Sequence, residues 1–439
     1  MSLAKTYQKK TDREHILDAP DTYIGSVEQD TIKDWIIRDS ETLSTSSNSV
    51  VDKRKAFKME HRDFKWIPGL YKCFDEGIVN ARDHQIRMQQ KIAQGEDVKS
   101  VSYIHIDVDR ETGIISMTND GNGIDIEKHP EHDIWIPEMI FGHLRTSTNY
   151  DKTEKKIVGG KNGFGFKLVL IYSKWGYVET IDHTRGLKYK QEFKDNLTEI
   201  GKPKITKVKT QKPYTKISFL PDYPRFGLSH LSHDMFQLLK KRTIDIAAVT
   251  DKKVKVKFNG EQVPIQSFEQ YIDLYVGAKG ETKRIYEEAN ERWQYAVCLS
   301  PLDEFTQVSF VNGIATTRGG KHVDYILNQI TRKLCAYIET KKKVKVKSTS
   351  IKDQLMLFVN CVVENPAFDS QTKDYLNTAV AKFGSTATVS DKFIEKVAKL
   401  GVMDNAMSIT AVKENSAAAK KTDGKKTRVV KGIPKLNDA

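Results

Sequence analysis

The sequence has no run approaching the roughly 20 apolar residues that a membrane span requires. Its first residues, MSLAKTYQKKTDREH, also lack the apolar segment that drives secretion. An intracellular protein is therefore expected. Cysteine is scarce: Cys73, Cys298, Cys335 and Cys361 are the only four, and they lie far apart. Without the close pairs used by zinc sites and disulfide frameworks, four reduced thiols in packed segments are expected. No internal repeat is present.

What the sequence does contain is charge, with enough apolar side chain to fold. Hydrophobic residues make up 38% and charged residues 29%, a balance that gives substantial cores beneath a charged surface. The formal net charge of +13 favours polyanionic partners, without separating nucleic acid from an acidic protein or a membrane surface. At 439 residues, and with common domain sizes of roughly 100 to 200 residues, two domains and a tail are expected.

The opening stretch to about Arg38 ends in a polar segment, SETLSTSSNSVVDKRK, which reads as a loop insertion. A long helix is predicted over IPGLYKCFDEGIVNARDHQIRMQQKIA. There Leu70, Cys73, Phe74, Gly77, Ile78 and Ala81 form an apolar stripe at helical spacing, and Pro68 and Gly69 mark its start. SYIHIDVD alternates, DRETG supplies turn residues and GIISMTN returns, which predicts a β-hairpin. GFGFKLVLIYS reads as a helix opened by a glycine-rich loop, and WGYVETID and TKISFLPD read as strands. DKKVKVKF places Val254, Val256 and Phe258 on one face, as a half-buried strand does. Further on, QYAVCLS and TQVSFVNGIA precede a helix beginning near GGKHVDYILNQITRKL, and together these read as a second α/β unit. From about Asn415 the sequence is basic and poor in large apolar residues.

Three segments carry chemistry. Glu76, Asn80 and Asp83 stand at i, i+4 and i+7, so they share one side of the long helix. A carboxylate there can take a proton from water, and an amide oxygen can ligate magnesium beside phosphate oxygens. An ordinary solvated helix face fits the same spacing. Asn119-Asp120-Gly121-Asn122-Gly123 lets a flat ligand approach the backbone, with Asp120 able to accept the adenine amino group's hydrogen bond. A plain turn fits as well. Gly159 to Lys167, GGKNGFGFK, opens onto a helix and offers backbone N–H groups to phosphates. It matches neither GxxxxGK[ST] nor a strand-preceded Rossmann fingerprint.

In this order, E-x-x-x-N-x-x-D, D-x-G-x-G and the glycine loop resemble the Bergerat nucleotide-binding fold of the GHKL ATPases. YQKKTDREHILDAPDTYIGSVE, IPGLYKCFDEGIVNARD, FGHLRTSTNYD, FVNGIATTRGGKHVDYI and NPAFDSQTKDYL are similar to the ATPase region of eukaryotic and large-DNA-virus type IIA DNA topoisomerases. This likeness covers nearly the whole chain. It implies an α+β architecture. Residues 1–262 would form a Bergerat-fold GHKL ATPase domain, helices on a mixed, largely antiparallel sheet, with an N-terminal strap. Residues 263–414 would form a transducer domain of ribosomal protein S5 domain 2-like α/β fold, and 415–439 a basic linker toward a cleavage core. It also implies a gate that binds and hydrolyses ATP with Mg2+, dimerises on nucleotide binding and closes behind a captured DNA duplex. No DNA-cleaving tyrosine domain is expected within these residues, and no membrane partner. The location implied is the nucleus for a cellular enzyme, and the replication site or virion for a viral one.

Carried over by motif, Glu76 would activate the attacking water, Asn80 would hold magnesium, Asp83 and His84 would line the nucleotide, and Asp120 would lie at adenine. Ser147, Thr148 and Asn149 would contact ribose and phosphates, and Lys161, Asn162, Gly163, Phe164, Gly165, Phe166 and Lys167 would wrap the triphosphate. Gln371 and Lys373 match the family's QTK loop, whose lysine reaches the γ-phosphate and is counted as catalytic with Glu76. Tyr7 matches a strap residue that crosses to the partner's ATP site. KKKVKVK packs five lysines into seven residues, a pattern of a solvated loop or of phosphate contacts. The family's transducer lysine loop points Lys341, Lys342 and Lys343 to DNA. His84, Phe164 and Phe166 depart from the family's usual asparagine, tyrosine and alanine. Rival readings are a GHKL clamp of the mismatch-repair or chaperone type, and a module that binds ATP without turnover.

Overall fold

The structure, a computed structural model, describes residues 9–38, 57–144, 146, 156–159, 165–209, 212–278 and 280–412. A short helix (Asp12–Asp18) and a single turn (Pro20–Tyr23) open it, and β1 (Asp30–Ile37) and β2 (Met59–Trp66) then pair antiparallel from Asp30 opposite Trp66 to Ile37 opposite Met59. The segment expected as a loop insertion falls between them, and residues 39–56 lie outside the described ones. Neither strand announces itself by alternation, because β2 buries only Met59 and Phe64 and carries Arg62, Asp63 and Lys65 besides.

The predicted long helix is α1 (Pro68–Ala93). Proline in its first turn costs no hydrogen bond, since the first N–H groups of a helix have no partner within it. Leu70, Cys73, Phe74, Ile78 and Ala81 are buried, as the apolar stripe predicts. Gly77 sits where α1 crosses a strand: a Cβ there would lie 2.4 Å from Met117 Sδ, so only glycine permits the approach. The helix stops at Gln94, followed by Gly95 at φ +84°.

The first sheet has nine strands: β3 (Tyr103–Val108), β4 (Ile115–Asp120), β5 (Ser173–Asp182), β6 (Leu187–Lys194), β7 (Glu199–Ile200), β8 (Lys204–Lys207), β9 (Tyr214–Pro221), β10 (Lys255–Phe258) and β11 (Glu261–Gln262). Their order is β11-β10-β3-β4-β9-β5-β6-β7, with β8 beside β6, and β10 against β3 is the parallel pair. Around it lie α2 (Ile136–Gly142), α3 (Gly165–Ile171) and α4 (His233–Ala248). α1 packs on α3, α4 and β4, which buries the face carrying Ile104, Ile106, Ile115 and Met117.

α5 (Phe268–Val276) leads to a five-stranded sheet of β12 (Arg284–Asn290), β13 (Trp293–Leu299), β14 (Thr306–Val311), β15 (Ile314–Ala315) and β16 (Leu355–Cys361), ordered β12-β13-β16-β14-β15. β14 and β16 run parallel, as the crossover through α6 (Lys321–Lys342) and α7 (Ser348–Lys352) requires. Ile326, Ile330 and Leu334 of α6 pack with Trp293, Tyr295 and Leu357, and α8 (Asp391–Val397) closes that core. Both halves meet at α5. Tyr275 stacks edge-on to Trp35 on one side and Phe358 on the other, and Tyr271 meets Phe310. The four cysteines are unpaired, three of them buried, and among the described residues no helix is long and apolar enough to cross a membrane.

His322 in the first turn of α6 is fully buried, with Nε2 3.2 Å from Thr316 Oγ1, and burial pushes its pKa down to about 3. The fold therefore keeps the ring neutral, while the unfolded chain takes up a proton below the ordinary histidine value of about 6.5. The stability contributed is present above that value and is lost as pH falls toward 3, at up to about 1.4 kcal/mol per pH unit. The melting temperature is expected to drop between about pH 6.5 and pH 4.5, and less steeply in His322→Gln. Parallel curves for the two proteins would refute the assignment.

Candidate active site

Glu76, Asn80 and Asp83 leave α1 toward the two ends of the glycine-rich segment. A Cβ on Gly165, the first residue of α3, would lie 2.6 Å from Glu76 Oε2 and 3.8 Å from Asn80 Nδ2. At the other end the buried Asp83 carboxylate accepts the Gly159 N–H at 3.0 and 2.9 Å. Gly159 itself has no room for a side chain, since a Cβ would meet Val79 at 2.9 Å and Ile314 at 3.0 Å. The helical spacing thus pins a backbone segment as well as presenting polar groups.

The other oxygen of Glu76, Oε1, lies between two ammonium groups. Lys72 Nζ is 2.9 Å away, one turn earlier on α1, and Lys373 Nζ is 3.0 Å away, from the loop after β16. All three side chains are buried. Burial alone would raise the Glu76 pKa, but the charges of Lys373 and Lys72 outweigh it and hold the carboxyl below its ordinary range. Lys72 also touches Asp75 at 3.1 Å, and Asp75 accepts from Arg242 of α4 at 2.7 Å. Arg242 donates onward to the Gly313 carbonyl at 2.8 Å, and Arg82 of α1 to the Asn312 carbonyl at 2.8 Å, both in the β14–β15 turn. A network of charge therefore runs from the first sheet's helices into the second sheet.

Both halves of the chain resemble known proteins. The family model described as "Histidine kinase-, DNA gyrase B-, and HSP90-like ATPase" matches residues 67–212, and the "DNA gyrase B" model matches residues 267–429. The chain is 42% identical to DNA topoisomerase 2 of Arabidopsis thaliana over all of its own length and 28% of the relative's. It is also 42% identical to the mimivirus DNA topoisomerase 2, over 97% of this chain and 32% of the relative's. The chain thus spans about a third or less of these curated relatives. The crystal structure of the ATPase region of Saccharomyces cerevisiae topoisomerase II superposes with a TM-score of 0.82 at 39% identity, covering 92% of this chain and 99% of that one. The chain belongs to the topoisomerase II ATPase-region family. The ATPase and transducer domains of the Balamuthia mandrillaris enzyme give a TM-score of 0.84 at 37% identity, covering 94% of this chain and all of that one.

Within this topoisomerase II ATPase region, Asp120, Phe166 and Lys167 make contacts inside the fold. Asp120 accepts from the backbone N–H groups of Ser102 at 2.7 Å and Tyr103 at 2.9 Å, and from the Ser102 hydroxyl. Strand alternation explains this: Met117 faces Gly77 of α1, so Asn119 shares that side and Asp120 takes the other. Asn119 is the residue of this turn placed toward α1. Asp120 instead borders a cavity of about 720 Å³ lined by Ser102, Tyr103, Gly121 and Tyr214, in which neither Glu76, Asn80 nor Lys373 takes part. Phe166, expected at the triphosphate, is packed into an aromatic core. It is buried edge-on between Phe141, at 5.5 Å, and Phe219, at 5.9 Å. Lys167 is turned inward too, donating to the Thr146 carbonyl at 2.7 Å, and burial lowers its pKa to about 8.

His84 rests against the glycine turn. A Cβ on Gly121 would be 3.0 Å from its Nε2, and burial with nearby Arg87 lowers its pKa to about 4. Gln371 is half-buried two residues before Lys373, in the same loop. Lys341 and Lys342 end α6 and Lys343 caps it at φ +56°, all three exposed. There they also complement the negative end of the helix dipole. Tyr7, Ser147, Thr148, Asn149, Lys161, Asn162, Gly163 and Phe164 lie outside the described residues. Lys72, Asp75, Arg242 and Asn119 were not singled out by motif. Lys72 stands four residues before Glu76, a helical neighbour legible in principle, whereas Arg242 is 167 residues from Asp75 and leaves no local trace.

Removing the Asp83 clamp should expose its purpose. Asp83→Ala leaves the Gly159 N–H without its acceptor, at an expected cost of about 1–3 kcal/mol in chemical denaturation. Amide exchange at Gly159 should quicken, and unchanged exchange there would contradict the clamp.

Proposed function

We propose that this chain is the ATP-binding and hydrolysing gate of a type II DNA topoisomerase, dimerising on nucleotide binding to close on a captured duplex and reset by hydrolysis. The observation that carries this reading is the Glu76 carboxylate, held at Oε1 by a lysine from each half of the chain while Oε2 faces Gly165 and Asn80. In it, residues 1–262 are the ATPase domain and 263–414 the transducer.

Glu76 is the general base. Its low pKa keeps it ionised and ready to take a proton from water, though at reduced driving force while both ammonium groups neutralise it. A triphosphate beside Gly165 competes for Lys373, because its terminal oxygens carry more charge than one carboxylate. Moving that ammonium onto the γ-phosphate stabilises the transferred group and unmasks the base in the same step. Since Lys373 belongs to the transducer, nucleotide state is thereby communicated to the second domain. Asn80 fits a magnesium site: it is half-buried beside Gly165, and its amide oxygen is the hard donor that magnesium accepts with waters and phosphate oxygens. Such an ion would neutralise part of the triphosphate's charge. Asn119 is better placed than Asp120 to meet adenine, and Lys341, Lys342 and Lys343 supply an exposed cationic end for DNA phosphates.

Glu76→Gln is expected to reduce phosphate release at least about a hundredfold while dimerisation with a non-hydrolysable ATP analogue persists in sedimentation. Near-normal turnover would sink the base assignment. Neutralising Lys341, Lys342 and Lys343 together is expected to weaken DNA stimulation of turnover and flatten its salt dependence, leaving basal activity intact. Stimulation that keeps its size and salt slope would count against a DNA role.

A further inference from the structure

The surroundings of Glu76 assign different tasks to its two lysines. Lys373 comes from a distant loop, 297 residues on, and reaches Glu76 through its own flexible side chain. Lys72 is only 3% exposed and stands on α1 itself, where its ammonium reaches Glu76 Oε1 at 2.9 Å and Asp75 Oδ2 at 3.1 Å. Both contacts are between neighbours on one rigid helix. Arg242, 2.7 Å from the other oxygen of Asp75, holds that carboxylate in turn.

A carboxylate turns easily about its last bond, because the terminal torsion is broad and roughly two-fold. Something must therefore fix the plane of the carboxylate, and with it the direction in which an oxygen meets the water. We propose that Lys72 is a positioning residue for ATP hydrolysis: it anchors Oε1 of Glu76, so that Oε2 stays turned toward Gly165 and Asn80, and it keeps that grip after Lys373 moves to the terminal phosphate. This rests on the reading of Glu76 as the base. Geometry carries it, and the charge state agrees. Burial works against the Lys72 ammonium, but Glu76 and Asp75 outweigh it and hold the group protonated beyond the ordinary lysine range. Lys72 is thus a cation, as its grip on two carboxylates requires.

The test is steady-state phosphate release by this chain. Lys72→Met is expected to lower kcat at least about tenfold with the KM for ATP within about threefold, since orientation of the base is lost and the nucleotide contacts are not. Lys72→Arg restores a cation beside both carboxylates and is expected to be at least about threefold faster than Lys72→Met. A Lys72→Met enzyme with unchanged kcat, or with only KM altered, overturns the proposal. So does a Lys72→Arg enzyme no faster than Lys72→Met at the same melting temperature. Should Lys72→Met fail to fold, Lys72→Gln takes its place under the same criteria. Glu76→Gln, assayed alongside, separates the two claims. Its normal turnover defeats the base reading, whereas an inactive Glu76→Gln with a fully active Lys72→Met defeats only the role of Lys72.

Discussion

The contact on which the rest depends is a buried one, between a carboxylate of the long helix α1 and an ammonium that arrives 297 residues later. Ions removed from water are tolerated only when paired and hydrogen-bonded, and removing one member of such a pair costs about 3–5 kcal/mol. Glu76 and Lys373 therefore constrain each other's position, and through them the two sheets. Lys72, Lys373 and Arg242 gather around the carboxylates of Asp75 and Glu76, beside the Gly165 start of α3.

That pair does not stand alone in joining the halves. Arg82 and Arg242 donate to two successive carbonyls of the β14–β15 turn, and the Asn312 side chain exchanges hydrogen bonds with Val363 on the next segment. Two residues on, Asn365 pairs with Lys156 by a reciprocal pair of bonds, 2.8 Å to its carbonyl and 3.2 Å from its N–H. Lys156 precedes Gly159, which Asp83 clamps. The second half thus grips the glycine-rich segment at its entrance and reaches Glu76 at its exit. Both grips are hydrogen bonds to charged groups or to backbone, with direction as well as strength.

What could be read from sequence divides along physical lines. Period alone discloses α1 and the β3–β4 hairpin, because their apolar residues face one core. Spacing brings Glu76 and Asn80 to one site, because four residues make a turn. Period failed where polar strands pair with each other, as in β1 and β2. Motif lettering failed where a one-residue offset decides the face, as between Asn119 and Asp120. Phe166 sits inside a glycine motif yet belongs to an aromatic core with Phe141 and Phe219, a fact that only tertiary packing contains. Arg242 was invisible for the same reason.

Lys373 adopts φ +65°, the left-handed region, where a side chain costs about 1–2 kcal/mol relative to the usual backbone. Its own N–H bonds to Ser370, Thr372 bonds to Asp374, and the Arg318 N–H bonds to the Asp374 carbonyl, which together hold the loop in that shape. The distortion is thus met by folding, before any ligand arrives. The loop around Lys373 needs little further ordering to meet a ligand, so little affinity is consumed there. The same rigidity ties a pull on the Lys373 backbone to the strand that bears the loop, β16, and so to the second sheet.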